Sequence, residues 1–71
     1  MNDASLALRL TEAEQDLLRT QGQIDRQHNW ISKLDRGGRT SVAEREVLNM
    51  LRASHGTFVI ERDRLLERMA Q

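Results

Sequence analysis

Seventy-one residues with no Cys, no Pro and two aromatics leave room for one small domain. They exclude disulfides, thiolate metal centres and an aromatic-rich β-sandwich or barrel. Eleven Lys/Arg balance eleven Asp/Glu, the balance holds within each half, and no apolar run approaches the ~20 residues of a bilayer span.

The opening Met1-Asn2-Asp3-Ala4-Ser5 lacks the basic region and apolar run of a signal peptide, which together with the absence of Cys points to the cytoplasm. A first helix is expected over about 3–36. Leu10, Leu17, Ile24 and Ile31 recur every seven residues, and Leu6, Ala13, Thr20, Gln27 and Leu34 supply the second seam position. That 3-4-3-4 spacing is the narrow stripe of a coiled-coil-like face. Asp3 suits an N-cap. Thr11-Glu12-Ala13-Glu14 also has the form of a capping box, and Leu6, Leu8 and Leu10 alternate, so a loose arm before Thr11 is the rival to a continuous helix. We read the helix as continuous. Lys33 and Arg36 suit the negative end of its dipole, and Gly37 is the expected left-handed closing residue.

Gly37-Gly38-Arg39-Thr40 has the length of a turn between antiparallel neighbours. Ser41-Val42-Ala43-Glu44 follows as a capping box, with the Ser41 hydroxyl expected on the third backbone N–H and Glu44 reaching back. A second helix is expected over about 41–69, with a wider stripe of Val47, Leu48, Leu51, Phe58, Val59, Leu65, Leu66 and Met69, interrupted by His55 and Arg62. Folding about Gly38-Arg39 sets Leu34 against Ala43, Ile31 against Val47, Ala13 against Leu65 and Leu10 near Met69. Small then faces large at both ends, as close packing requires. The expected fold is all-α: an antiparallel two-helix hairpin, helix-turn-helix and coiled-coil-like, forming one domain over 1–71.

Two helices share a single seam, so much apolar surface is left over. Leu18 lies off the first stripe, Trp30 sits beside Leu34 at its shoulder, and Leu48, Val59 and Leu66 line one edge of the second. Ile60 points away altogether. At ~1.5–3 kcal/mol for each fully buried side chain, a second surface is worth several kcal/mol to these residues. Leu18, Trp30, Leu48, Val59 and Leu66 are therefore the candidate interface, with a homodimeric four-helix bundle or a helical protein partner as its occupant. Gly22 and Gly56 fall at nearly the same height and either admit another backbone or mark a soft level.

Chemistry finds little purchase. His28 and His55 stand on different helices about six residues apart in height, or ~9 Å, so a metal or ligand site using both would need a dimer. No Glu-x-x-His pair occurs; Asp25-x-x-His28 is a weak substitute. No Ser or Thr sits in a nucleophile elbow, and the Gly37-Gly38 turn lacks the lysine and spacing of a phosphate loop. Arg62 at a seam position is expected to bury its stem and keep its head wet, and Glu61-Arg62-Asp63-Arg64 reads as a solvated ion-pair face. Arg19 and Arg26, with Arg45 and Arg52, repeat at seven, but interspersed acids weaken any field for nucleic acid.

The run from Ala13-Glu14 through Gln23-Ile24-Asp25-Arg26-Gln27, Leu34, Gly38 and Ala43 to Glu61-Arg62-Asp63-Arg64-Leu65-Leu66 resembles short helical-hairpin proteins of α-proteobacteria. The resemblance covers about 60 residues and implies a bacterial cytosolic hairpin, with no activity and no site residues to carry over. In outline the chain also looks like plasmid copy-number regulators that dimerise as hairpins and bind paired RNA loops, a likeness of architecture alone. The sequence thus points to a non-enzymatic interaction or assembly module without cofactor, catalytic residue or metal. A small nucleic-acid-binding regulator and a metal or ligand site across a dimer stand as alternatives.

Overall fold

In the computed structural model two helices, α1 (Asp3–Arg36) and α2 (Val42–Ala70), lie side by side in a rod of 55 × 14 × 14 Å. Residues 3–39 and 41–71 are described; Thr40 of the expected turn and the side chain of Asp3, the expected cap, lie outside that description. At 1.5 Å per residue α1 alone rises about 51 Å, so one helix sets the length of the rod. The ion pairs Arg9–Glu61 and Asp35–Arg45 join the helices near opposite ends, which makes the pairing antiparallel.

Helix α1 runs through Thr11 without a break. The Thr11 hydroxyl donates back to the Ala7 carbonyl at 3.1 Å, the bond of a threonine inside a helix and not of a cap. Continuity follows from the unbroken heptad seam, which buries Leu6 and Ala13 on either side of Thr11.

The turn departs from expectation in its detail. Gly38, not Gly37, takes the left-handed conformation, with φ of 72°. The Arg39 amide donates to the Leu34 carbonyl at 3.0 Å and the Gly38 amide to Asp35 at 3.1 Å, a Schellman closure that satisfies two orphan carbonyls of α1. The motif places its left-handed residue one beyond the last half-helical position, which is why the second glycine carries it. The capping box at Ser41 does not form either. Its hydroxyl makes no capping bond; it donates to the Asp35 carboxylate at 2.9 Å and accepts from the Arg45 guanidinium at 3.0 Å, while Arg45 also reaches the other Asp35 oxygen. A nearby carboxylate and guanidinium outcompete a neutral backbone amide, because charge-assisted bonds are the stronger. Ser41 is buried by this arrangement, which ties the end of α1 to the start of α2.

The seam is narrower than the stripe of the second helix suggested. Leu6, Ala13 and Leu65 form a buried cluster with Leu10 packed against it, and Leu65 is the most enclosed side chain, 1% exposed. Leu17, Ile31, Leu34 and Leu48 continue the core towards the turn. Val47, expected opposite Ile31, is 45% exposed, and Leu48 occupies the seam in its place. Steps of three and four from Leu48 reach Leu51, His55, Phe58, Arg62 and Leu65, whereas Val47 lies a further ~100° round the helix. Met69, expected near Leu10, is 43% exposed.

Polar groups in the seam are satisfied. Thr20, almost fully buried, donates to the Asp16 carbonyl at 2.8 Å, and Gln27 donates across the seam to the Glu44 carbonyl at 2.9 Å. Among the described residues no buried side-chain nitrogen or oxygen lacks a partner. Arg62 behaves as expected: half-buried, with its head on Asp63 at 3.1 Å.

Candidate interaction surfaces

Each helix presents two flanks beside the seam, and the ion pairs identify which flanks adjoin. Arg9 meets Glu61 at 3.2 Å. Seven-residue steps from Arg9 reach Asp16, Gln23 and Trp30; the same steps back from Glu61 reach Ser54 and Val47. These residues share the first side of the rod. Asp35 meets Arg45 on the second side, where equal steps give Glu14, Gln21 and His28 on α1 and Arg52, Val59 and Leu66 on α2. Open grooves agree with the division. One, lined by Gln23, Arg26, Gln27, Val47 and Leu51, runs along the first side; another, lined by Glu14, Leu17, Leu18 and Arg62, runs along the second.

The five residues singled out from the sequence therefore separate. Leu18, Val59 and Leu66 come together on the second side, running from the middle of the rod towards its open end. Leu18 is 76% and Leu66 46% exposed, and Val59 is half-buried. The Arg19 guanidinium lies over the Phe58 ring, 6.0 Å from its centroid, which puts the two positions near one height: one residue back on α1 and one on along α2, Leu18 and Val59 stand within about a turn of each other. Trp30 stands on the first side near the turn, half-exposed, beside a shallow groove it lines with Lys33, Leu34, Gly37 and Arg39. Leu48 is in the seam, 7% exposed, and offers no free surface. The wide apolar stripe of α2 suggests an edge position for it, but the stripe is one residue wider than the seam that packs.

The same reading hid a second cluster. Val47 shares the first side with Trp30 and stands near its height, and Met50, 69% exposed, lies one turn further along α2. The available signal was that a 3-4 seam through Leu51, Phe58 and Leu65 selects Leu48 over Val47. The rod thus carries two apolar patches on opposite sides: Leu18, Val59 and Leu66 from the middle towards the open end, and Trp30, Val47 and Met50 towards the turn.

The remaining chemistry is dispersed. His28 is exposed on the second side and His55 is half-buried in the seam. Among the described residues no three His, Asp or Glu gather as metal ligands, and no helix is long and apolar enough to cross a membrane. Arg26 lines the first-side groove and Arg19 covers Phe58, whereas Arg45 and Arg52 belong to the second side. The four arginines do not share a face. No family model matches the chain, and no curated protein or solved structure is similar to it.

Proposed function

We propose that this chain is a non-enzymatic protein–protein interaction or assembly module, working as a homodimer in which two hairpins close into a four-helix bundle. The observation that carries the reading is the surplus of apolar surface. On the side offered to a second copy Leu18 is 76% and Leu66 46% exposed, with Val59 half-buried beside them, on a rod only 14 Å across. Full burial of such a side chain is worth ~1.5–3 kcal/mol, so covering the part still exposed on three residues in each of two copies contributes several kcal/mol, comparable with the stability of a small domain. Chains of this size commonly gain a sufficient core by oligomerising.

Leu66→Asp and Val59→Asp each place a charge in the open-end patch without touching the buried cluster. Light scattering should show either variant shifted to the 8.2 kDa monomer at concentrations where the parent is dimeric. An unchanged mass would count against that patch as the contact. The nucleic-acid reading would draw on Arg19, Arg26, Arg45 and Arg52, which face opposite ways, so a single strand or duplex would meet two of them at a time.

A further inference from the structure

The hairpin's charges and its apolar patch together indicate how a second copy sits on it. On the second side, the charged residues α1 contributes are Glu14, Asp25 and Asp35, all acids. On the same side α2 contributes Arg45 and Arg52, with Arg62 leaning into the groove beside Glu14; its acid there, Asp63, is neutralised by Arg62 at 3.1 Å. One helix is therefore acidic and the other basic along a common face. Much of this charge is unspent within the hairpin. Arg52 and Glu14 have no ion pair among the described residues, and Asp25 accepts only from the Gln21 amide at 3.0 Å.

Two identical rods meeting face to face can be related by a two-fold axis in two ways. An axis across the rods puts the turns at opposite ends, with α1 over α1 and α2 over α2. Acid then faces acid, with each Asp25 near the partner's Glu14 when the ends of the rods align, and each Leu66 lands near the partner's Arg45, while Leu18 stays close to the middle of the rod. An axis along the rods puts both turns at the same end, with α1 over α2 and heights preserved. Leu18 then meets the partner's Val59, and the partner's Leu66 lies over Thr11 and Ala7. Six residues on from Arg19 and six back from Phe58, Asp25 stands level with Arg52, so each Asp25 faces the partner's Arg52. Neighbouring helices are antiparallel in either arrangement, so the helix dipoles favour neither and the facing charges make the choice.

We infer that a second copy docks on the Leu18–Val59–Leu66 side with both turns at the same end, α1 of each hairpin lying over α2 of the other. This rests on the dimer proposed above and adds its geometry. Spin labels on a single cysteine at Arg39, in a chain that has none of its own, read the arrangement directly. Same-end docking places the two labels within about 30 Å, two helix diameters plus the label arms. Opposite-end docking separates them by nearly a helix length, about 45 Å or more. Asp25→Arg and Arg52→Asp should each weaken the dimer about three- to tenfold, and the double variant should recover most of the loss. A long label distance, or a double variant no tighter than the singles, overturns the same-end arrangement and leaves the dimer standing. A label pair that never forms because the chain is monomeric removes both.

Discussion

Single residues carry unequal weight in this hairpin. Leu65 is 1% exposed and anchors the cluster at the open end. Leu65→Ala should cost about 2–5 kcal/mol, as a large-to-small change in a filled core does; urea denaturation followed by circular dichroism would measure it, and a loss under about 1 kcal/mol would contradict the packing. Two glycines should respond with opposite signs to the same substitution. Gly38→Ala forces a Cβ into the left-handed region at φ 72° and should destabilise by about 1–2 kcal/mol. Gly22→Ala, within a helix, meets only the flexible tip of Arg26 at 3.4 Å and should stabilise by about 0.5–1 kcal/mol. Thermal melts of the two variants decide it: shifts in the same direction would undermine the assignment of the turn. Ser41→Ala removes a buried hydroxyl bonded to both Asp35 and Arg45, and should cost about 1 kcal/mol.

At the scale of elements, the helices were more legible than their joint. The first seam could be read directly because Leu10, Leu17, Ile24 and Ile31 keep strict period, and the unbroken span Asp3–Arg36 follows from it. The second helix carries adjacent apolar pairs, Val47-Leu48, Phe58-Val59 and Leu65-Leu66, and a pair taken alone gives no sign of which member faces inward; the sign lies in the 3-4 spacing of the whole helix. Packed against α1, that spacing buries Leu48 and Leu65 and leaves Val47 and Leu66 exposed. The joint was misread for a different reason. A capping box is a local pattern, whereas Ser41 answers to Asp35 on the preceding helix, a contact that exists only once the chain has turned. Of the candidate surface, Leu18 stands out by lying off the first stripe, and Val59 and Leu66 by lining one edge of the second; their gathering on one side depends on the register, and Trp30's alliance with Val47 and Met50 on Leu48 taking the seam.

For the whole molecule, the governing fact is a slender rod with one seam and two apolar patches placed diagonally. A lone hairpin of this shape leaves each patch in water, and the acids of α1 and arginines of α2 along the second side would complement a second copy. The patch near Trp30, on the far side from the proposed contact, remains on the surface of such a dimer. Sedimentation equilibrium of the unmodified chain tests the central claim most directly. A single species of twice 8.2 kDa, dissociating only on dilution, is the predicted result; a monomer that stays folded across the accessible concentration range would contradict it.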